Sequence, residues 1–238
     1  MSVPVQMHHQ QARDGYKNEI RALMEARPNV RVLELGAGRW PMFALDELPS
    51  TVASYTVNDL DPALLSQVPK GYETACFDVT SDAHDFYGKY DLVFSHFLVE
   101  HVRDGIKFHR NVFNILAPGG VAIHLHPTLF SFPFVINKIL PEQTTHSIVK
   151  LFRRKRIERG YPKFPAHYSY CRASETKMRG YLLPLGFEDV RVRAFYGHPY
   201  YDNIPVVKQL GNIIAGVCAR YNLESLASYA YVRTQKRA

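Results

Sequence analysis

Three observations predict an α/β fold, a doubly wound and mostly parallel sheet, for this 238-residue chain. Short runs of β-favouring residues alternate with helix-like segments as far as residue 125, the alternation from which βαβ units are built. The run Val32-Leu33-Glu34-Leu35 leads straight into Gly36-Ala37-Gly38. It reads as a buried strand ending in a tight turn, where small residues let the backbone approach a ligand. Two further strands carry acids at their ends, Asp59 and Asp78, and in open α/β sheets ligands bind in the crevice beyond the carboxyl ends of the strands.

Residues 1–11 are polar and rich in His and Gln. Asp14 is read as the cap of a helix with Tyr16, Ile20, Leu23 and Met24 on one face. Pro28-Asn29 breaks it before the first strand. Pro41-Met42-Phe43-Ala44-Leu45-Asp46-Glu47-Leu48 reads as the next helix, with proline in its first turn. Tyr55-Thr56-Val57-Asn58-Asp59 is the second strand, and Asp61 caps a helical Pro62-Ala63-Leu64-Leu65. Ala75-Cys76-Phe77-Asp78-Val79 is the third strand, with Thr80-Ser81-Asp82 as a turn. Tyr90-Asp91-Leu92-Val93-Phe94-Ser95 is the fourth, and Glu100-His101 begins the helix after it. Pro118-Gly119-Gly120 then turns the chain into a fifth strand, Val121-Ala122-Ile123-His124-Leu125. Residues 174–185 read as a helix, 186–195 as a sixth strand and 228–233 as the last.

A hydrophobic content of 46% suits a single globular domain with a real core. The formal charge of +7 favours an anionic partner, whether nucleic acid, a phosphate-bearing substrate or a membrane surface; the alternative is that it serves solubility alone. Cys76, Cys171 and Cys218 are odd in number and form no C-x-x-C, which reads as reduced thiols without a zinc site. No basic-then-apolar leader and no run of about 18 apolar residues is seen. A cytoplasmic protein, with peripheral membrane contact as a variant, is the expectation.

A dinucleotide fingerprint needs G-x-G-x-x-G. Here Gly36-Ala37-Gly38-Arg39-Trp40 is followed by Pro41, so the third glycine is missing. Glu34, two residues ahead of the first glycine, would repel a pyrophosphate and suits a cationic ligand. Asp59 follows the turn by about twenty residues, where a carboxylate can accept both hydroxyls of a nucleoside ribose. The alternative is that Asp59 caps the next helix.

Glu34-Leu35-Gly36-Ala37-Gly38 resembles motif I of the class I S-adenosylmethionine-dependent methyltransferases, acid-x-Gly-x-Gly. Asn58-Asp59-Leu60-Asp61-Pro62, Phe77-Asp78-Val79, the stretch from Tyr90 to Val102 and Leu116-Ala117-Pro118-Gly119-Gly120 resemble the family's further motifs, in the family's order. On these five matches the chain is identified as a member of that family. The resemblance implies a Rossmann-like three-layer sandwich with strand order 3-2-1-4-5-7-6 and strand seven antiparallel. It implies S-adenosylmethionine as cofactor and S-adenosylhomocysteine as product. The implied cofactor residues are Glu34, Gly36, Ala37 and Gly38 at the turn, Asp59 and Leu60 at the ribose, Asp78 and Val79 at the adenine, and Ser95 at the end of strand four. The H-x4-H of His96 and His101 lacks a third ligand, so no metal is expected; in many relatives this Glu-His pair is mainly architectural.

Residues 1–238 are read as one methyltransferase domain with two insertions. The first, 127–171, leaves the carboxyl end of strand five and must pass over the active site, so it is read as a lid that forms the acceptor pocket. It carries many aromatics and the cations Arg153-Arg154-Lys155-Arg156, a combination that fits a lipid-linked or phosphate-linked acceptor or docking at a membrane. The alternative is a solvated basic face. Its Asn137-Lys138-Ile139-Leu140-Pro141-Glu142 and Tyr-rich end also resemble bacterial methyltransferases of surface glycans or other small acceptors. The second insertion, 196–226, completes the pocket or makes a homodimer face.

The expected reaction is in-line attack by an acceptor oxygen or nitrogen on the sulfonium methyl, with O-methylation of a glycan, lipid-linked or other metabolite preferred. The protein aligns the two centres and excludes water. A hydroxyl acceptor needs a general base, for which His96, His126 and His167 are the candidates, with Tyr168 beside the last. One alternative is a nucleic-acid methyltransferase, which the charge allows; an N/D-P-P-Y-like motif and an RNA-binding module are both missing. The other is a Rossmann-like cofactor-binding protein or nicotinamide oxidoreductase, against which Glu34 and the missing glycine argue.

Overall fold

Among the described residues, five helices and seven strands carry the fold. The helices are α1 (His9–Glu25), α2 (Pro62–Leu65), α3 (Gly105–Ile115), α4 (Glu175–Leu182) and α5 (Pro205–Arg220). The strands are β1 (Val30–Leu35), β2 (Val52–Asp59), β3 (Glu73–Cys76), β4 (Tyr90–His96), β5 (Leu116–Pro127), β6 (Phe187–Phe195) and β7 (Tyr229–Lys236). The computed structural model describes residues 9–129, 165–197 and 205–238. Most of the expected lid, including Arg153-Arg154-Lys155-Arg156 and the 137–142 stretch, lies outside the described residues.

The strands form one sheet in the order β3-β2-β1-β4-β5-β7-β6. The first five pair in parallel, and β7 runs antiparallel between β5 and β6. This is the order and sense that the resemblance implied. Register aligns the carboxyl ends: Leu35 faces Asn58 on one side and Ser95 on the other. The glycine turn, Asp59 and His96 therefore leave the sheet along a common edge.

The central strands are buried on both faces, as parallel strands under two helix layers must be. Leu33 and Leu35 pack with Val93, Phe108, Val112 and Ile115 on the α3 and α4 face. Val32 packs with Tyr55, Phe94 and Ile123 on the other, under α1. On α1 the residues Ala12, Tyr16, Ile20 and Met24 recur every fourth position and are fully buried, the stripe a surface helix needs. The Tyr16 hydroxyl is shared between the carbonyls of Ser95 (2.7 Å) and Ile123 (2.8 Å), so α1 ties β4 to β5.

Several local expectations are corrected. Helix α1 already runs at His9, so Asp14 lies inside it and is not its cap. The helix expected from Pro41 is only a 3-10 turn at Leu45–Glu47. Its backbone groups are taken by side chains instead: the Met42 amide donates to Glu34 (3.0 Å), the Ala44 amide to Glu47 (3.0 Å), and Tyr72 donates to the Phe43 carbonyl (2.8 Å). Phe43 is driven fully into the core, and a helix this short does not hold itself together against such competitors. Strand β3 stops at Cys76, short of Phe77, Asp78 and Val79. Glu100-His101 forms a 3-10 turn, and α3 begins later, capped by Asp104 through the Lys107 amide (3.0 Å). Strand β5 begins at Leu116: Tyr90 faces Leu116 and Leu92 faces Val121, so 117–120 bulge from the ladder, with Gly119 at φ 71°.

The cysteines are free thiols, Cys76 exposed and Cys171 and Cys218 buried. Among the described residues no helix is long and apolar enough to cross a membrane. Replacing Tyr16 by Phe removes a hydroxyl that two buried carbonyls share. The variant should lose roughly 1–2 kcal/mol, read as a lower urea midpoint at unchanged slope; an unmoved midpoint would show that α1 is held by apolar packing alone.

Candidate active site

The crevice is built first from backbone. Gly36 and Gly38 both take left-handed angles, φ 68° and 60°, which glycine adopts without strain. A Cβ on Gly36 would meet the Leu98 side chain at 2.7 Å, so this position is closed by packing as well as by conformation. The Ala37 amide donates to the Asn58 carbonyl (3.0 Å) and the Gly38 amide to Asp59 Oδ2 (2.9 Å), stitching the turn to the end of β2. Asn58 in turn donates from Nδ2 to the carbonyls of Ala75 (2.9 Å) and Phe77 (3.0 Å), carrying the brace on to β3.

Asp59 stands at the tip of β2, partly exposed. Its Oδ1 accepts from the Asp61 amide at 3.0 Å. Each carboxylate oxygen keeps a further lone pair, so both can still receive hydroxyls. The helix-capping role falls to Asp61, which accepts from the Ala63 amide at 2.8 Å. Leu60 is 69% exposed beside Asp59, an apolar surface at the mouth of the crevice. Asp78 is placed differently from the strand-end acid expected: Oδ1 accepts from the amide (2.7 Å) and hydroxyl (2.8 Å) of Thr80, closing a turn. Val79 is buried against α3, its carbonyl held by Asn111 at 2.9 Å, and Phe77 stacks on Phe86.

Glu34 lies beneath the turn, not open to it, with 4% exposure. It accepts from the Tyr55 hydroxyl and, at 3.0 Å, from the Met42 amide. Burial outweighs these two donors and pushes its carboxyl up to about 7. Ser95 is also buried; its hydroxyl is bonded to His124 Nδ1 at 2.8 Å and so points away from the crevice.

The three candidate bases separate. His96 sits on the rim, stacked on Tyr16 with ring centres 5.8 Å apart, and burial together with the Arg13 charge holds it down to about 4. His126 is nearly fully buried within β5, not on the rim, with Nδ1 against the Pro127 carbonyl; burial holds it down to about 4. His167 is exposed on the returning arm of the insertion, where its amide and that of Tyr168 donate to the Glu100 carbonyl (2.7 and 3.1 Å). His101 Nδ1 donates to the Pro165 carbonyl at 2.9 Å, so the Glu-His pair anchors this arm. Sequence reasoning missed Tyr55 and Asn58 as site braces, and missed His109 and His124, a buried pair with ring centres 5.8 Å apart under the crevice. A polar residue inside an apolar strand was the signal for Asn58 and His124, whereas His109 lies on α3. Among the described residues no cluster of His, Cys, Asp and Glu is placed to hold a metal.

A glycine turn open at Gly38, a pair of acceptor oxygens at the strand tip and a carboxyl beneath fit a nucleoside bearing positive charge better than a pyrophosphate. A family described as "Methyltransferase domain" matches residues 7–192. No curated protein matches the chain in sequence. Among solved structures, a possible exported protein from Bordetella parapertussis is similar at a TM-score of 0.57 and 17% identity, over 96% of this chain and 68% of that one. Phosphoethanolamine N-methyltransferase 2 of Haemonchus contortus, solved with phosphomonomethylethanolamine and S-adenosylhomocysteine, is similar at 0.55 and 15%, over 94% of this chain and 54% of that one. An S-adenosylmethionine-dependent methyltransferase from Archaeoglobus fulgidus is similar at 0.54 and 16%, over 95% and 97%. At these identities the likeness is one of fold, and the chain spans about half the length of the Haemonchus enzyme.

The histidines beneath the crevice make stability depend on pH. Burial holds His109 down to about 3 and His124 well below its ordinary value, alongside His96 and His126. Groups depressed in the fold contribute stability that is full above pH 6.5 and is lost as pH falls toward 4; Glu34, raised, works in the opposite direction between about 4.5 and 7. Four histidines outweigh one carboxyl, so the unfolding midpoint should fall on acidification from pH 7 to 4.5. His109→Leu should flatten that fall by roughly 2–3 kcal/mol at pH 4; an unchanged pH profile would mean that His109 is not the group being protonated.

Proposed function

The chain belongs to the class I S-adenosylmethionine-dependent methyltransferase family, and from that premise we propose that it methylates a small-molecule acceptor held over the ends of β4 and β5. Its cofactor is S-adenosylmethionine and its product S-adenosylhomocysteine. The observation that carries the reading is the union of the Gly36-Ala37-Gly38 turn with Asp59 through the Gly38 amide. That union sets two acceptor oxygens beside the backbone of Gly38.

When bound, the cofactor supplies a methyl group already activated by its sulfonium, so the chain's task is to hold, orient and keep water away. Asp59 accepts the ribose hydroxyls. Leu60, exposed beside it, gives the base an apolar surface, with Val79 and Phe77 at the next strand end. Asp78 reaches the base only by giving up part of its own turn. Glu34 supports the cationic end from beneath the glycine turn.

His96 is the base we favour. It is neutral near pH 7, it stands at the rim, and Tyr16 holds its ring face. His126 lacks access from the crevice, and His167 reaches the acceptor only if the insertion brings it. An oxygen on a glycan, lipid-linked or other metabolite remains the preferred acceptor, for the reason that a base is at hand. The +7 charge favours an acceptor bearing phosphate or another anion. The 127–171 insertion is the lid of this reading; its cations Arg153-Arg154-Lys155-Arg156 lie outside the described residues.

Thermal shifts with S-adenosylmethionine, S-adenosylhomocysteine and NAD in parallel test the cofactor, since a ligand that binds the folded state raises its stability by mass action. The first two should stabilise and NAD should not; stabilisation by NAD alone rejects the reading. Asp59→Ala removes charge-assisted bonds of about 1.5–3 kcal/mol and should weaken both nucleosides ten-fold or more. Trp40, the chain's single tryptophan, stands in the turn and provides the fluorescence signal. Affinity unchanged in that variant would put the ribose elsewhere.

A further inference from the structure

Glu34 carries an inference beyond the methyltransferase reading, on which it rests. The carboxyl is buried two residues before Gly36, and every donor on it is neutral: the Tyr55 hydroxyl from β2 and the Met42 amide from the loop. The other titratable groups that face it are Tyr16 from α1 and Tyr72 from the segment before β3. Lys17 and Arg21 of α1 lie over the Phe43 ring, at 5.1 and 5.6 Å from its centre, and neither is bonded to Glu34. Both are engaged by Glu47, Lys17 on its carboxylate and Arg21 on its carbonyl (2.7 Å each). Asp46 and Glu47 add only negative charge on that side. Among the described residues no cation pairs with Glu34.

A carboxyl so enclosed has no counter-charge of its own, and burial favours its neutral form. We propose that Glu34 waits as a carboxylic acid in the free protein and becomes a carboxylate when the cationic nucleoside binds, so that binding expels one proton and favours the sulfonium over the thioether product. The two forms share an ammonium and a carboxylate, which balance; the sulfonium form adds one positive charge that the product lacks. A positive charge near a buried carboxyl favours its ionised form, so the coupling is stronger for the sulfonium form. By linkage, affinity must then rise with pH while Glu34 is still protonated and level off above that range. The proton leaves to solvent, and no bond other than the O–H breaks. The carboxyl's position at about 7 puts this range near neutrality.

The test is titration calorimetry of S-adenosylmethionine and S-adenosylhomocysteine between pH 5.5 and 7.5, in pairs of buffers with different ionisation heats. Most of this range lies below about 7.7–8.0, where the ligand's own amino group titrates. Expected are an affinity for S-adenosylmethionine that rises on the order of ten-fold across the range, proton release approaching one at the acid end, and a shallower rise for the product. Glu34→Gln should bind with a flat profile and no proton release. Tyr55→Phe, which removes a donor to the carboxylate but leaves the carboxyl in place, should move the rise to higher pH; this variant decides the matter if the glutamine variant fails to fold. Flat binding by the unaltered protein, or a profile that survives in Glu34→Gln, overturns the inference and leaves the cofactor reading intact. Binding of neither nucleoside at any pH overturns both.

Discussion

The carboxyl of Glu34 is the point at which the crevice is held to the sheet. It receives Tyr55 from β2 and the Met42 amide from the chain beyond the glycine turn, so one side chain joins β1, β2 and the loop. The turn has no helix behind it to keep its shape, because the chain after Pro41 forms only a short 3-10 turn. What would have been intrahelical hydrogen bonds are replaced by side-chain acceptors, and Glu34 is the buried one. The same burial that makes it a firm anchor leaves its charge unbalanced. Structural support and the lack of a counter-charge thus come from a single fact of placement.

Topology explains why the site lies where it does. From β1 the sheet grows through β2 to β3 on one side and through β4 to β5 on the other. The loops leaving β1 and β4 therefore diverge and open a crevice between them, the switch point at which ligands bind in open α/β sheets. Leu98, beyond β4, packs on Gly36, and Phe97 takes a left-handed φ of 55° beside it. For a bulky aromatic this is a strained conformation, of the kind that tertiary contacts sustain at functional sites. The rim of β4 is thereby shaped by packing against the glycine turn, and His96 is delivered to the edge while Ser95 is turned inward.

Much of this was legible in the sequence, and the legible part has a common character. The glycine turn, the capping role of Asp61, the strand cores and the motif order all depend on interactions a few residues apart or on runs long enough to pattern. Asp78 shows the limit. An acid at the end of an apolar run reads equally as a ligand contact or as a turn, and the carboxylate in fact closes on Thr80. His126 shows another. Position at the end of a strand does not say whether a side chain meets the rim or the core, and His126 is buried. Glu34 was legible as an acid before glycines, but not as a buried one, because Tyr55 from β2 and the Met42 amide close on it only in the folded chain.

Alternation of apolar runs, two glycines free of steric limits and acids at strand ends determined by themselves the fold class, the crevice and the charge of its ligand, since backbone freedom and side-chain charge are local properties. Tertiary structure alone decided which acids stand open at the strand ends, which histidines remain accessible, and what ionisation each can hold. Those depend on desolvation, and desolvation is set by residues distant in sequence that arrive together only when the sheet closes.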